Sequence, residues 1–512
     1  MKTLLFVDHA FHTSTSSSQF FIDLLKRRFD VTIVHINPPS NIAEETILRA
    51  RSADVVVIWQ MDYIAPVFLA IGVPTIVIPM YDGSAAMPDL HWIWSSKAHY
   101  VNFSFTLHHR IAGLGNQSFL ARYFTPVVAQ NERATFESGL KAFLWQRRPE
   151  HGINAPAVMK LLDGQIKSLH VHNAPDDPDL DTRPYKVPSN SSCAVTQTSW
   201  FPKAADYHAA LSQANVFIAP RRAEGIGMAL LEAMSRGMLV VACDEPTHNE
   251  YIANWQNGIL YNPDSSQSVN VSLDEARSLG RLAYETAVIG RQNWELQALE
   301  ILEIVDNCEA PEEVNLPSIS DFSRALSTSY YSGITAYTAF MLNHADLIAT
   351  MSGHRIKDYL PFGSSHATAH EIAGQELHDA PWLETSRVPV AGGRIKPYVA
   401  TGRLEYAGGT AWITGHSCEL RFRTDPLANS ISSLKLGVVV PAEINNQSLI
   451  VTLNGWTLGI KDIPSGSSEV WFDLPLHVQR GSNLLRLQAT IVCQGVADDH
   501  LVSLGLDEIL LS

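Results

Sequence analysis

Residues Asn215–Gly237 read NVFIAP, RRAEGIG and MALLEAMSRG in succession, and this stretch decides the fold. The apolar run Val216–Ala219 is short and Pro220 ends it, the pattern of a strand buried on both faces of a parallel sheet. Gly225 and Gly227 permit a tight turn and a close backbone approach. Ala229, Leu230, Leu231, Ala233 and Met234 then make a helix that is apolar over most of its surface. Met238–Cys243 (MLVVAC) follows at once as a second buried strand, completing a β-α-β unit. Glu224 falls at the carboxyl end of the first strand, where open α/β sheets bind ligands. Glu232, eight positions on, lies on the otherwise greasy helix. Taken singly, Glu224 also suits an acid complementing a helix N-terminus, and Glu232 suits pairing with Arg236 one turn later.

Upstream, residues 1–130 alternate short apolar runs with helical stretches. The runs are Thr3–Val7, Val31–Ile36, Asp54–Trp59, Thr75–Pro79 and Tyr100–Phe105; the helical stretches are Ser18–Arg28, Ile42–Arg51 and Thr106–Leu114. Such alternation implies a parallel sheet covered on both faces. Polar and aromatic groups collect at the strand ends: Asp8, His9 and His12; Gln60, Asp62 and Tyr63; Tyr81 and Asp82; Asn102 and Ser104. Singly these are turn formers and caps. Asp82 stands out as a candidate catalytic carboxylate, because Gly83 lets the chain turn and leaves it exposed.

A 512-residue chain has room for two to four domains, and 46% hydrophobic with 17% charged residues describes globular protein with ample core. A net charge of −15 argues against nucleic acid as a main partner and against a general polybasic grip on membranes. The five cysteines are scattered and lack C-x-x-C spacing, which suits a reducing compartment and no zinc site. The opening MKTLLFVDHAFH turns acidic too soon for a signal peptide, and no stretch reaches transmembrane length. The expected location is the cytoplasm, with peripheral attachment to the inner face of the membrane and a homo-oligomer left open.

The segment EGIGMALLE (Glu224–Glu232) resembles the E-x7-E signature of retaining GT-B glycosyltransferases of the family-4 type. The likeness continues through Pro246–Ile252 (PTHNEYI) and Asn257–Leu260 (NGIL), where such enzymes carry a proline–acid loop and an Asn-Gly turn. It implies two Rossmann-like domains and a nucleotide-sugar donor, which is a substrate and not a cofactor. Glu224, the other candidate catalytic residue, would contact hydroxyls of the donor sugar, and Glu232 the nucleotide ribose. Gly225, Ile226 and Gly227 with Thr247, Asn249 and Glu250 would complete the donor site. Tyr123–Val128 (YFTPVV) resembles the linker between the domains. In Gln146–Gly152 (QRRPEHG), Arg147 matches the arginine that holds the donor diphosphate and Arg148 shares its work. His151 stands where the family has a lysine, and a neutral imidazole is a weaker diphosphate partner. His12–Gln19 (HTSTSSSQ) replaces the family's first glycine-rich loop; it offers hydroxyls and helix N-terminal amides to a polar ligand, or is a Ser-capped helix start. No protein nucleophile is identified, and the leaving diphosphate would help deprotonate the incoming hydroxyl of a glycan or lipid-linked glycan acceptor. No metal is implied, since arginine neutralises the diphosphate. Bacterial surface-polysaccharide synthesis is the implied setting.

His170 and His172 share one strand face at period two, without a third ligand nearby for a metal. Asn173–Asp177 reads as a turn and the polar stretch to residue 192 as a loop. Ser272 with Glu275 forms a capping box that opens helices running to Cys308. Ile319–Met351 is helical and aromatic-rich, either returning to the first domain or simply core. Beyond residue 383, Leu449–Leu453, Val470–Leu474, Leu484–Ile491 and Val502–Leu506 are short β-rich runs between turn signals, as in an antiparallel β-sandwich. Trp412, Trp456 and Trp471 there either stack on sugar rings or pack in the core. The expected architecture is thus α/β, with an acceptor-side Rossmann-like domain (1–130), a donor domain (131–308), a helical connector (309–382) and a β-sandwich (383–512). A non-catalytic carbohydrate-binding or scaffold subunit on a decayed core is the rival reading; a GT-B epimerase or phosphorylase is another.

Overall fold

A computed structural model of the chain describes residues 1–37, 39, 42–162, 164–177, 179–187, 193–201, 203–263, 268–354, 387–388, 390, 395, 398–407, 409–423, 431–453, 456–474, 482–491, 493–494 and 501–511. The chain divides into two compact units: Met1–Arg122 with Trp294–Asp379, and Tyr123–Asn293 with Ala380–Ser512.

The first unit is built on a parallel sheet of β1 (Thr3–His9), β2 (Asp30–Ile36), β3 (Val55–Trp59), β4 (Thr75–Ile78), β5 (His99–Asn102) and β6 (Ser118–Leu120), in the order β2-β1-β3-β4-β5-β6. Every residue of β3 and β4 is buried, as it must be for strands covered on both faces. The winding reverses between β1 and β3, which makes their carboxyl ends the natural crevice for a ligand. β1–β5 stand where apolar runs announce them. β6 is three half-buried residues (SFL), too short to leave a periodic signal. The expected helical stretch Ile319–Met351 is three helices, Ile319–Tyr331, Ile334–Asn343 and Ala345–Ser352, interrupted by Gly333 at φ 103° and by His344. They belong to this unit, and their aromatics are packing groups: Tyr330 stacks on Tyr63 at 4.0 Å and Tyr337 is buried. Residues 355–382 of the expected connector lie outside the described residues.

In the second unit a parallel sheet comprises β7 (Leu140–Trp145), β8 (Ile166–His172), β9 (Ala194–Thr198), β10 (Val216–Ile218), β11 (Leu239–Cys243) and β12 (Ile259–Tyr261), in the order β12-β11-β10-β7-β8-β9. The switch point here falls between β7 and β10. β9 is an edge strand exposed at four of its five residues, so no apolar run marks it in the sequence. The Ser272–Glu275 capping box is present, with the Glu275 carboxylate accepting from Ser272 N at 2.8 Å and Oγ at 2.6 Å. It opens one continuous 34-residue helix, Leu273–Asp306, whose residues from Trp294 onward belong to the first unit. That helix approaches its neighbours through glycines: a Cβ on Gly280 would collide with the Gly237 carbonyl oxygen, and one on Gly290 with the Phe124 ring.

The C-terminal strands are β13 (Arg387–Val388), β14 (Val399–Ala407), β15 (Thr410–Arg423), β16 (Ser433–Val440), β17 (Asn446–Leu453), β18 (Trp456–Pro464), β19 (Gly466–Asp473), β20 (Ser482–Ala489), β21 (Cys493–Gln494) and β22 (Leu501–Leu511). They form one continuous antiparallel sheet around the path β18-β17-β20-β15-β22-β16-β19. β15 links its parts, since Ala411–Thr414 pairs with β22 and Ser417–Arg423 with β20. Alternate residues such as Leu434, Leu436, Val438 and Val440 point into a single apolar core. Trp412 is half-buried, with the Cβ-less Gly505 closed against its ring. Trp471 is 50% exposed, with the Lys435 ammonium 5.7 Å from its ring. The Trp456 side chain lies outside the described residues. Among the described residues no helix is long and apolar enough to cross a membrane.

Candidate functional site

The carboxyl ends of β7 and β10 bring most of the sequence-derived candidates of the second unit together. β7 ends at Trp145, and Arg147 and Arg148 follow it directly. Asp176, in the turn after β8, bridges both: its Oδ1 accepts from Arg147 Nε at 2.8 Å and its Oδ2 from Arg148 Nε at 3.0 Å. Burial pushes Asp176 up, but the charges and hydrogen bonds of Arg147 and Arg148, with Arg221 nearby, outweigh it and hold its carboxyl below the usual carboxylate range. Beyond β10, Glu224 is buried between two guanidiniums, 3.9 Å from Arg147 Nη1 and 3.5 Å from Arg221 Nη1. It is therefore an ion-pair member, and more than an acid near a helix start. Arg222 Nε donates to the His151 carbonyl oxygen at 2.8 Å, so the half-exposed His151 sits beside an arginine where the resemblance leads one to expect a lysine.

Gly225 and Ile226 are buried, and Gly227 precedes the helix Met228–Ser235 at φ 80°. The space around Gly227 is ordinary, so its conformation and not crowding demands glycine. Gly225 does not use the left-handed region. Glu232 is half-buried on that helix, and burial pushes its carboxyl up to about 7 while Arg236 pulls it back. Arg236 lies 3.5 Å from His208 Nδ1, and no ion pair between Glu232 and Arg236 occurs among the described residues. Tyr207 sits within electrostatic reach of Glu232, with its hydroxyl buried and without a hydrogen-bond partner among the described residues. Thr247 is buried, its Oγ1 likewise without a hydrogen-bond partner among the described residues. Asn249 donates to Asp244 at 3.0 Å and the Glu250 amide to the Thr247 carbonyl at 3.0 Å.

His170 and His172 are held by threonines, with His170 2.9 Å from Thr196 Oγ1 and His172 3.1 Å from Thr198 Oγ1. Burial lowers both, His172 to about 4, so each is a neutral packing imidazole. Among the described residues no group of three His, Cys, Asp or Glu is placed to hold a metal ion.

The first unit has its own cluster at the β1/β3 crevice. Asp8 Oδ1 lies 2.5 Å from His12 Nδ1, and Ser18 Oγ donates to Asp8 Oδ2 at 2.6 Å. Of the two readings of His12–Gln19, the Ser-capped helix start is not met at Ser18, whose hydroxyl donates to Asp8 and makes no side-chain cap. Gln60, at the end of β3, is held at φ 62°. Asp62 accepts from Ser84 Oγ at 2.8 Å and lies 2.7 Å from His91 Nε2, whose Nδ1 is 2.9 Å from the Tyr337 hydroxyl. Asp82 is exposed as expected, but the turn is helical (Tyr81–Ser84), so Gly83 needs no left-handed φ. Asp176, Arg221, Arg222 and Tyr207 were not marked by any motif; the first three follow strand ends, which offered a signal, whereas Tyr207 lies within the helix Ala204–Leu211.

No curated protein matches the sequence. Several solved structures resemble it over 59% of its length: a sucrose-phosphate synthase from Thermosynechococcus elongatus (14% identity, 98% of that chain, TM-score 0.45), HepE from Anabaena bound to UDP-glucose (13%, 100%, 0.44) and the lipopolysaccharide outer core galactosyltransferase WaaB (12%, 99%, 0.42). At these scores the likeness adds nothing to the strand order already described. A family match bears directly on the site: residues 194–291, which contain β10, Arg221, Glu224, the Met228–Ser235 helix and Glu232, match the family described as Glycosyl transferases group 1.

Proposed function

We propose that the protein is a retaining glycosyltransferase that moves a sugar from a nucleotide-sugar donor to a saccharide acceptor, in the setting of bacterial surface polysaccharide synthesis. The observation that carries this reading is Glu224 clamped between Arg147 and Arg221 at the switch point of a parallel sheet, inside the stretch that matches group 1 glycosyltransferases. Arg147 and Arg148 hold the donor diphosphate, aided by the amides at the start of the Met228–Ser235 helix. Glu224 accepts hydrogen bonds from donor-sugar hydroxyls, and Glu232, with the Tyr207 hydroxyl beside it, takes the ribose. The loop of Thr247, Asn249 and Glu250 borders the phosphates, and Asp82 serves the acceptor in the first unit. As the bond between the anomeric carbon and the diphosphate breaks, the acceptor oxygen bonds that carbon on the same face and its proton passes to the departing phosphate oxygen. The protein contributes orientation and charge stabilisation.

The test is release of free nucleotide from a panel of UDP-, GDP- and other nucleotide sugars with saccharide acceptors. Glu224→Ala should lose transfer yet bind plain nucleotide, whereas Glu232→Ala should weaken nucleotide and nucleotide sugar alike. Full transfer activity in both folded variants would sink the reading. Tight nucleotide binding without turnover by the unaltered protein would favour the scaffold alternative.

A further inference from the structure

The C-terminal antiparallel sheet turns one face to its apolar core, so its outward side chains are expected to be polar. β19 follows this rule at Ser467, Glu469 and Asp473 and breaks it at Trp471, which is 50% exposed. Among the described residues Trp471 is the one large aromatic of this sheet that is exposed. Trp412, by contrast, is a packing group, half-buried with Gly505 closed against its ring.

The charges around this indole are fixed in place. Its register partner on β16 is Lys435, whose ammonium lies 5.7 Å from the ring. The Lys435 side chain is mostly covered, and its Nζ meets Glu469 Oε1 at 2.6 Å and Glu508 Oε2 at 2.9 Å. Arg387, on β13, holds the other oxygen of Glu508 at 2.5 Å. Hydrogen bonds to Glu469 and Glu508 raise Lys435, and the bond from Lys435 holds Glu508 below the usual carboxylate range. A strip of alternating carboxylates and cations thus crosses β19, β16, β22 and β13. At its outer end the Glu469 side chain is 62% exposed, two positions from Trp471 on the same strand face. Asp473, also exposed, stands two positions to the other side.

This chemistry selects among partners. Two carboxylates and two cations cancel along the strip and Asp473 adds a negative charge, so nothing there draws a phosphate backbone or an anionic lipid surface. The carboxylates of the strip already hold Lys435 and Arg387, which leaves a cationic peptide little to gain. A lone indole falls far short of the few hundred Å² of contiguous apolar surface that mark a protein-docking patch. A sugar ring fits what is present. One of its faces is a flat set of C–H groups that packs on an aromatic ring, and its rim carries hydroxyls that donate to carboxylates.

We propose that Trp471, flanked by Glu469 and Asp473, is a binding site for a neutral saccharide chain, with one sugar ring stacked on the indole and its hydroxyls donating to the two carboxylates. The site uses none of the donor-site residues, so it stands or falls apart from the transferase reading. Joined to that reading, it retains a long acceptor by raising its effective concentration.

The experiment titrates the full-length protein, without nucleotide, with cello-, laminari-, malto- and mannohexaose and with an anionic hyaluronan hexasaccharide, by calorimetry. The unaltered protein should bind one or more of the neutral chains and prefer them to hyaluronan. Trp471→Ala should weaken that binding on the order of tenfold, Trp471→Phe should keep most of it, and Glu469→Ala should lose less than Trp471→Ala. Failure of the unaltered protein to bind any neutral chain overturns the proposal, as does preference for hyaluronan. Equal binding by Trp471→Ala and the unaltered protein also overturns it, since the saccharide then sits elsewhere. Equal losses in the alanine and phenylalanine variants overturn it as well, because a disturbed sheet and not a lost stacking surface would be the cause. Nucleotide release from the donor panel is read separately, so failure of the transferase reading leaves this outcome intact.

Discussion

At the β1/β3 crevice the carboxylates are closed off by short contacts, Asp8 with His12 at 2.5 Å and Asp62 with His91 at 2.7 Å. At the β7/β10 crevice Asp176 is held at 2.8 and 3.0 Å, and Glu224 lies among guanidiniums, 3.5 Å from Arg221 and 3.9 Å from Arg147. The pairs of the first crevice are carboxylate–imidazole; those of the second are carboxylate–guanidinium. A tight buried pair fixes a fold, and its loss is felt in stability. Planar guanidiniums held in a fixed frame suit phosphate and carboxylate oxygens alike. Asp176 supplies that frame by engaging each arginine through Nε.

The sharpest way to break this contrast is Arg147→Ala. It should lower kcat/KM for the donor about 100-fold, the scale of losing one preorganised charged donor. Arg147→Lys should recover only part, because an ammonium lacks the planar fork. Unchanged steady-state kinetics would move the phosphate site elsewhere. The mirror experiment in the other crevice is Asp8→Ala. Leaving His12 and Ser18 without their acceptor should cost about 1–3 kcal/mol of folding stability in denaturant titrations, while nucleotide affinity stays put. A loss of nucleotide binding comparable with that of Arg147→Ala would erase the distinction between the two sites.

A smaller effect sharpens the second crevice alone. Glu232 is pushed up to about 7 by burial, so the folded state binds its proton more tightly than the unfolded state does. Its contribution to stability is complete below the ordinary carboxylate pKa and is lost as pH rises through about 7. The Tm of Glu232→Gln relative to the unaltered protein should therefore climb between about pH 5 and 8 and level off below that range. A difference that does not change with pH would mean Glu232 is better solvated than its surroundings imply.

The β-α-β unit around Glu224 was legible because a buried parallel strand, a helix and their glycine turn each leave a periodic or compositional mark within a few residues. Glu224 and Glu232 stand out as candidates for the same reason. Asp176 does not, since it lies 29 positions from Arg147 and is brought to it only by the pairing of β7 with β8. Arg221 carries no signal in the loop, because nothing local shows that its guanidinium meets Glu224. The strand-end groups Asp8, His12 and Ser18 were visible as a set, yet a spacing of four and ten positions does not say that one carboxylate collects both partners. Edge strand β9 was missed because solvent, not core, dictates its side chains.

Two absent side chains in the helix Leu273–Asp306 have a consequence of their own. At Gly280 and Gly290 the helix is seated against the Gly237 carbonyl and the Phe124 ring with no room for a methyl group. The azimuth of the helix in the second unit is thus set by subtraction: rotate it by one residue and a side chain meets backbone or ring. Mutational tolerance runs backwards along this element. Trimming an exposed leucine on its outer surface, such as Leu299 at 55% exposure, removes little, whereas adding one carbon at either glycine forces the helix off its bed.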